Sequence, residues 1–173
     1  MYTNRKIDNE TYSTFREASN SNWEFCKEYF RDKEDIKLFN PEKVYKRKNV
    51  CIDGIVIKKD KIFLIEVKRR QVTFEQMIKD WGGELFLEQT KITAMKKLLN
   101  KTKKKYPLYK VYIHYITKSS DGFVMLWDLT NATLKFENRK MNNVTYGDKI
   151  KINKKVALLN IKNAKIQKTN IIN

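Results

Sequence analysis

The sequence predicts a mixed α/β fold in which one sheet is flanked by helices. Closely spaced β-branched segments occupy residues 43–68, a helical periodicity follows over residues 73–104, and two further strand-like segments occupy 108–116 and 123–129. Strands that alternate with helices in this way are typical of a sheet covered by helices on its faces.

The chain has 173 residues, of which 41% are hydrophobic, so it can bury one core. It contains no repeats and no Gly/Ser-rich or Pro-rich linker. We therefore predict a single domain over residues 1–173, with a core at about 20–130 and a basic C-terminal extension at about 131–173. A last strand is expected at 156–161.

The first half of the chain predicts a helix followed by a three-stranded meander. Residues 10–32 have a helical pattern, and the cluster SNSN contains good N-cap residues, so a helix is expected to start or restart near Trp23. Pro41 closes the following loop. The three expected strands are 43–48, 50–58 and 61–68.

The segment 73–104 is predicted to be helical, with a break or kink at the pair Gly82-Gly83. Its apolar stripe falls at helical spacing and consists of Leu85, Gln89, Ile92, Met95 and Leu99. The stretch ELFLEQ at 84–89 is an alternative short strand.

The charge predicts a polyanionic partner. Lys plus Arg total 37 against 20 Asp plus Glu, which gives a net charge of +17, so DNA, RNA or an anionic membrane surface are the candidates.

No apolar run is long enough to span a membrane, and the first residues do not resemble a secretion signal. Cys26 and Cys51 have no metal-ligand spacing and favour a reducing compartment. We expect a cytoplasmic, intracellular protein that binds nucleic acid and not membrane; the richness in Lys, Asn and Ile is typical of an AT-rich viral or phage genome.

The most apolar segment of the chain is VCIDGIVIKKDKIFLIEVKRR at 50–70, and three of its charged residues, Asp53, Glu66 and Lys68, fall where a buried strand disfavours charge. If Lys59-Asp60 is the centre of a tight hairpin loop, Lys58 pairs with Lys61, and the residue numbers of every cross-strand pair add up to 119. Asp53 then lies directly opposite Glu66. Their Cβ atoms would then be about 4.5–5.5 Å apart. Lys68 shares the face of Glu66 because strand side chains alternate.

Two like charges at that distance destabilise a sheet unless a cation lies between them. Paired carboxylates are hard oxygen ligands that suit Mg²⁺, with Mn²⁺ as a substitute. Lys68 is close enough to hold a metal-bound water or to stabilise charge on a reacting phosphate. A surface salt bridge at the end of a hairpin is the structural alternative.

The pattern of Asp53 followed by Glu66-Val67-Lys68 at the end of an apolar strand resembles the PD-(D/E)XK nuclease superfamily. The resemblance covers residues 20–116 and implies a restriction-endonuclease-like αβββαβ core with a mixed central sheet. It departs from the motif at Ile52, where the family name has proline. It also implies Asp53, Glu66 and the Val67 carbonyl as metal ligands, with Lys68 positioning the water.

Further site residues are implied by the same resemblance. Many members add an acid from the first helix, for which Glu24 is the first candidate and Glu17 the second. Some members add a glutamine after the E-x-K strand, and we favour Gln89 over Gln76 because Gln89 lies on the apolar stripe. A solvated acid and a buried structural amide are the alternatives.

Basic residues near the motif are candidate DNA contacts. Residues 91–110 hold eight lysines and no acid, and a solvated helix face is the alternative for each. The segment 139–168 holds nine basic residues and one acid and is expected to wrap DNA or mediate assembly. The candidate phosphate contacts are Arg69, Arg70, Lys46, Arg47, Lys48, Lys96, Lys97, Lys103 and Lys104.

These observations and the resemblance predict a Mg²⁺-dependent DNA nuclease that acts as an endonuclease, and a homodimer is the expected assembly. A non-catalytic nucleic-acid-binding or assembly module on the same fold and an RNA-cleaving member of the superfamily are the alternatives. EVKRR followed by GGELFL resembles archaeal-type Holliday junction resolvases, although the spacing from Gln76 to the glycine pair is short. The single histidine, His114, is expected to be structural, which argues against Zn²⁺ and two-histidine RNase chemistry, and Trp81 and Trp127 are expected in the core.

Overall fold

The computed structural model describes residues 15–46, 50–142 and 151–169. Within them the helices are α1 (Phe15–Phe30), α2 (Pro41–Tyr45), α3 (Phe74–Trp81) and α4 (Gln89–Lys105), with a 3₁₀ turn at Ile161–Asn163. The strands are β1 (Lys37–Phe39), β2 (Gly54–Lys58), β3 (Lys61–Arg69), β4 (Glu84–Glu88), β5 (Lys110–Lys118), β6 (Phe123–Asp128), β7 (Phe136–Asn142), β8 (Lys151–Asn160) and β9 (Lys165–Lys168).

The protein has a mixed central sheet with helices against its faces, as the sequence predicts. Six strands lie in the order β1-β2-β3-β5-β6-β9, and a separate three-stranded sheet has the order β4-β8-β7. The β3–β5 pair is parallel and the other pairs of the large sheet are antiparallel. The crossover from β3 to β5 contains α3, β4 and α4.

The large sheet separates two apolar clusters. On one face, Phe25, Cys26 and Tyr29 of α1 pack with Ile65 and Val67 of β3. On the other face, α3 and α4 pack over the alternate residues of β3, with the side chains Met77, Trp81, Ile92, Met95, Leu99, Ile62 and Leu64. The strand β3 is therefore buried on both faces, as parallel strands in α/β proteins usually are.

The first predicted strand, 43–48, is wrong over residues 43–46, and residues 47 and 48 lie outside the described residues. Residues Pro41–Tyr45 form α2, because the Asn40 side chain caps the backbone N–H groups of Glu42 and Lys43, and Pro41 suits the first helical turn. The outer strand of the meander is β1, which pairs with β2. The expected strand 50–58 begins only at Gly54.

Helix α1 runs without interruption through the SNSN segment, so the expected restart near Trp23 is wrong. Of this segment, Ser21 and Asn22 instead make tertiary hydrogen bonds, Ser21 with Arg69 and Asn22 with Asp53 and Val67. Ser and Asn often cap helices, but Ser21 and Asn22 lie inside α1, and their side chains contact residues of the sheet and of the segment before β2.

The expected break at Gly82-Gly83 is confirmed, but a helix directly after it is wrong, and the alternative strand at ELFLEQ is confirmed over Glu84–Glu88. Gly82 and Gly83 have φ values of 63° and 70°, which end α3. Residues Glu84–Glu88 then form β4, and Leu85 pairs with Leu159 of β8. The pairing partner lies more than 70 residues away in the chain, so local periodicity did not reveal it.

The C-terminal part of the chain contributes strands to both sheets. The strand β8 lies between β4 and β7, and β9 pairs with the edge of β6. Val156, Ala157 and Leu159 are buried. The described part of the C-terminal segment therefore packs against the rest of the fold through β8 and β9. The single-domain organisation remains a prediction.

No helix of the described residues is both long enough and apolar enough to cross a membrane.

Substituting Gly122 should detach β9. Gly122 has a φ of 86°, and a Cβ there would lie 2.7 Å from the Thr169 carbonyl oxygen, directly after β9. We expect Gly122→Ala to lower the unfolding free energy by about 2–3 kcal/mol, measured by urea titration.

The matched control is Gly82→Ala, because Gly82 shares the left-handed backbone but has no atom within 4 Å of the added Cβ. It should lose only about 1–2 kcal/mol. Equal losses for the two variants would contradict a specific contact between Gly122 and the segment after β9.

Candidate metal and nuclease site

The β2–β3 hairpin keeps the even register that the sequence predicts. Lys58 pairs with Lys61 across a loop of Lys59 and Asp60, and the ladder continues to Gly54 opposite Ile65. Lys59 takes a left-handed conformation with φ 52°, which suits a two-residue hairpin loop. The register brings the start of β2 beside the end of β3.

Asp53 lies one residue beyond the last pair of this ladder. Its backbone N–H donates to the Ile65 carbonyl at 2.7 Å, and its carboxylate Oδ2 accepts from the Val67 N–H at 2.8 Å. The carboxylate thus takes the position of a strand partner for Val67. Asp53 is a bend residue held against β3 and not a member of a regular cross-strand pair.

Asn22 connects α1 to the same point. Its side-chain Nδ2 donates to Asp53 Oδ1 at 3.3 Å and to the Val67 carbonyl at 3.2 Å. Two of the three metal ligands implied by the sequence resemblance therefore meet at one amide group. Turning this amide by 180° would bring an oxygen to the same place, since the two ends of an amide have nearly the same shape.

Glu66 is buried on the α4 side of β3. Its Oε1 forms an ion pair with Lys91 Nζ of α4 at 2.7 Å. Its Oε2 is also buried and accepts no hydrogen bond from a donor of the described residues, and the carboxyl groups of Glu66 and Asp53 lie within hydrogen-bonding reach of each other. An unpartnered carboxylate oxygen in a buried place is costly unless a cation or an ordered water meets it.

The electrostatics of the pair are those of a buried acid, Glu66, and a half-buried acid, Asp53, beside one cation. Burial, and then the charge of Asp53, raise the pKa of Glu66 well above its ordinary value. Burial also raises the pKa of Asp53, against the opposing effects of Lys91 and the Val67 N–H. Burial by itself would lower the pKa of Lys91, but the charges of Glu66 and Asp53 outweigh it and raise that pKa.

The residues present fit a divalent cation. Two adjacent carboxyl groups with raised pKa values, the buried Glu66 and the half-buried Asp53, provide negative charge that a cation would stabilise, and Glu66 Oε2 accepts no hydrogen bond from a described donor. The described residues contain no cluster of three or more His, Cys, Asp or Glu side chains that could hold a metal. Further ligands would therefore be carbonyl, amide, water or phosphate oxygens, which Mg²⁺ accepts readily.

Three basic residues follow Glu66 on and after β3. Lys68 is half-buried and shares the face of Glu66 by strand alternation. The Arg69 guanidinium hydrogen-bonds to Ser21 Oγ of α1. The Arg70 guanidinium lies 5.8 Å from the centre of the Trp81 ring.

The two supporting residues implied by the resemblance lie in different settings. Glu24 is exposed on α1 and forms an ion pair with Lys27 at 2.6 Å, whereas Asn22 is the α1 residue that contacts Asp53. Gln89 is the half-buried first residue of α4, two positions before Lys91. The roles of Glu24 and Gln89 stay predictions.

Most of the candidate phosphate contacts on α4 are exposed, namely Lys97, Lys103 and Lys104, and Lys96 is half-buried. Lys46 is exposed at the C-cap of α2. Arg47 and Lys48 lie outside the described residues. His114 packs against Phe63 with ring centres 4.8 Å apart, an arrangement that fits a structural role.

Sequence reasoning missed Lys91 and Asn22. A signal existed for Lys91, because a lysine in the first turn of a helix faces the positive end of the helix dipole and needs a compensating acid. The first turn of α4 contains no acid, so that acid had to come from elsewhere in the fold. The SNSN pattern predicts a cap role for Asn22. Its contact with Asp53 depends on the packing of α1 against the sheet, which no local pattern indicates.

Comparison with known proteins gives a limited result. No protein-family model matches the sequence, and no curated protein matches it. Solved structures that match include Hjc of Archaeoglobus fulgidus, a Holliday junction resolvase from an archaeal hyperthermophile. The TM-score is 0.45 and the identity 11%, over 81% of this chain and 84% of the resolvase chain. No residue role in this protein follows from that similarity.

The raised pKa of Glu66 predicts a pH dependence of stability. Between the ordinary pKa of 4.5 and the raised pKa of the folded state, the folded protein keeps a proton that the unfolded chain releases. The unfolding free energy should therefore fall as pH rises through this window, by at most about 1.4 kcal/mol per pH unit for one proton. Urea titrations of the metal-free protein from pH 4.5 to 8 would measure it.

Glu66→Gln should flatten this slope. Burial lowers the pKa of His114, which gives a slope of opposite sign below its ordinary pKa, but that slope is common to both proteins and cancels in their difference. Identical pH profiles for the wild type and the Gln variant would contradict the assignment of a buried, proton-binding Glu66.

Proposed function

We propose that this protein is a metal-dependent DNA nuclease that hydrolyses phosphodiester bonds, and that it acts as an endonuclease. The observation that carries the proposal is the adjacent pair of the half-buried Asp53 and the buried Glu66, whose Oε2 accepts no hydrogen bond from a described donor, with Lys91 beside them. A protein selected only for stability would not keep two acids at this buried strand end.

The proposed metal ligands are Asp53, Glu66 and the Val67 carbonyl, with Mg²⁺ as the expected ion and Mn²⁺ as a substitute. Asn22 holds the same two groups, Asp53 Oδ1 and the Val67 carbonyl, so it becomes a fourth ligand if its amide turns. A divalent ion held by these residues would supply Lewis-acid chemistry, which polarises a phosphate and lowers the pKa of a bound water.

The side chains of the chain itself would orient the reaction. Lys68 lies on the same strand face as Glu66 and holds the attacking water, and its charge offsets the negative charge that develops on the phosphate. Lys91 compensates Glu66 in the metal-free protein and is free to turn toward the phosphate once the acid has another counter-ion. Burial of the acids strengthens each of these interactions.

DNA is the proposed substrate because the net charge is +17, and a polyanion is the natural partner of such a surface. The exposed lysines of α4 contact phosphates without reading sequence. A homodimer is the proposed assembly.

One observation favours a second candidate, a nucleic-acid-binding module without catalysis. Lys91 and the Asn22 amide already compensate most of the acid oxygens without a metal. Such a module would bind DNA with equal affinity in Mg²⁺ and in EDTA, and Asp53 would not affect the affinity.

A plasmid-cleavage assay tests the main proposal. Supercoiled plasmid is incubated with Mg²⁺ and wild type, Asp53→Asn, Glu66→Gln or Lys68→Ala. Each variant should lose at least about a hundredfold in rate, since each removes a ligand or a charge that acts on the transition state. Asp53→Asn and Glu66→Gln preserve the shape of the side chains, so a loss of cleavage rate in these variants is due to the loss of negative charge.

The control is Asp60→Asn, an exposed acid of the same hairpin that pairs with Lys110 at 3.3 Å. It should cleave at the wild-type rate. Cleavage by Asp53→Asn at the rate of this control would exclude the proposed site, and matched RNA substrates in the same series would show whether RNA is cleaved instead.

Metal affinity provides a second test that does not depend on cleavage. Lys91→Met removes a positive charge beside the acids, so the variant should bind Mg²⁺ or Mn²⁺ about tenfold more tightly by calorimetry, equivalent to about 1.4 kcal/mol. In EDTA it should be less stable than the wild type by about 1–3 kcal/mol, because Glu66 loses its partner.

Lys97→Met is the matched control, an exposed lysine on the same helix. It should change neither metal affinity nor metal-free stability. Weaker metal binding by Lys91→Met would mean that Lys91 supports the ion and does not compete with it.

A further inference from the structure

A cavity of about 540 Å³ lies beside the β2–β3 hairpin, and neither Asp53 nor Glu66 lines it. Its floor is made by aliphatic side chains of the hairpin, and α2 and the C-terminal half of α4 provide its walls. The size is in the range of small-molecule sites. The floor residues are Ile55, Ile57, Ile62 and Leu64.

Exposed apolar side chains concentrate at the rim of this cavity. Of the nine large hydrophobic residues that are exposed in the described part of the chain, five belong to the cavity lining or to the turn after α4. Tyr106 and Tyr109 line the cavity, and Leu108 between them is 89% exposed. The other two are Phe39 and Val44. Contiguous exposed apolar surface of this kind is typical of a binding site.

The rim is also cationic. Lys101 and Lys105 line the cavity, and no acid does so among the described residues. The ammonium group of Lys105 lies 5.3 Å from the centre of the Tyr106 ring. Lysines interleaved with exposed aromatic rings are the combination that binds single-stranded nucleic acid, in which the lysines meet phosphates and the rings stack on bases.

The cavity and the acid pair lie on one face of the sheet. Ile62, Leu64 and Glu66 alternate with the residues that face α1, so the floor of the cavity comes within two residues of Glu66, or about 7 Å along β3. Helix α4 runs from Lys91 at the acid pair to Lys105 at the cavity rim, a distance of about 21 Å along its axis. A nucleic acid strand that follows α4 would reach both places.

We propose that the aromatic rim of this cavity binds an unpaired base of DNA. Because the rim lies about 21 Å from the acid pair along α4, this base would be about six stacked nucleotides from the cleaved phosphate, at about 3.4 Å per nucleotide. The preferred substrate is then DNA in which a single-stranded segment adjoins the cleavage point, such as a flap, a gap or a branch. The position of cleavage rests on the proposed nuclease function, whereas binding of the base does not. The aliphatic floor has few hydrogen-bonding groups, so recognition is tolerant of sequence.

Two other occupants fit less well. A second copy of this chain would bring the same lysines to the interface, and like charges oppose that contact. An acidic peptide with apolar side chains matches the charge and the floor, but it does not account for the exposed rings beside lysines on a protein of charge +17.

The test measures binding in EDTA, so no cleavage occurs and the result stands whether or not the protein is a nuclease. The probes are fluorescein-labelled dT20 and a blunt 20-base-pair duplex, followed by anisotropy. The variant Tyr106→Ala with Tyr109→Ala should bind dT20 at least about fivefold more weakly and the duplex with less than about twofold change. The variant Tyr106→Leu with Tyr109→Leu preserves apolar volume but removes the rings, so its affinity for dT20 should fall as much as that of the Ala variant.

Two variants serve as controls. Tyr106→Phe with Tyr109→Phe preserves the rings and should bind dT20 as the wild type does. Phe136→Ala removes a ring of similar exposure that also lies near a lysine, Lys155 at 5.9 Å, but on the other sheet, and it should have no effect on dT20.

Three results would overturn the proposal: unchanged binding of dT20 by the Ala and Leu variants, equal losses on dT20 and duplex, or an equal loss with Phe136→Ala. A labelled peptide of alternating Glu and Leu tests the rival occupant. If it binds the wild type and not the Ala variant while dT20 binding is unaffected, the cavity is a site for acidic peptides.

Discussion

The structure depends on a buried electrostatic constraint at the open end of one hairpin. Asp53 and Glu66 lie together where β2 begins and β3 approaches its end, and burial disfavours the charge of both. Each acid is held by a different helix: Asn22 of α1 donates to Asp53, and Lys91 of α4 pairs with Glu66. The packing of both helices on the central sheet is therefore coupled to the charge state of this pair.

The same helix that compensates Glu66 also connects two different kinds of surface. The first turn of α4 carries Lys91 at the acid pair, and its last turn carries Lys105 at the aromatic rim of the cavity. In the proposed function one end would serve the phosphodiester chemistry, and the other would hold an unpaired base. A rigid helix keeps these two places at a constant separation, which is what selects a substrate by shape and not by base sequence.

The parts of the structure that were predictable are those set by short-range physics. The register of the β2–β3 hairpin follows from its two-residue loop and from alternation, so the sequence alone predicts that Asp53 lies beside the strand of Glu66. The same local reasoning failed at residues 41–45, where the cap by Asn40 outweighed β propensity. It also favoured a helix at 84–88, where pairing with β8 decided for a strand.

The sequence by itself determined the hairpin, its even register and the presence of two acids and Lys68 at one strand end, because turn length and the two-residue period of a strand act over a few positions. Only the tertiary structure decided what surrounds those acids. Asn22 and Lys91 come from helices that are 31 residues before Asp53 and 25 residues after Glu66 in the chain. The aromatic cavity is assembled from β1, α2, β2, β3 and the end of α4. Such neighbours depend on how helices pack on a sheet, which no local pattern encodes.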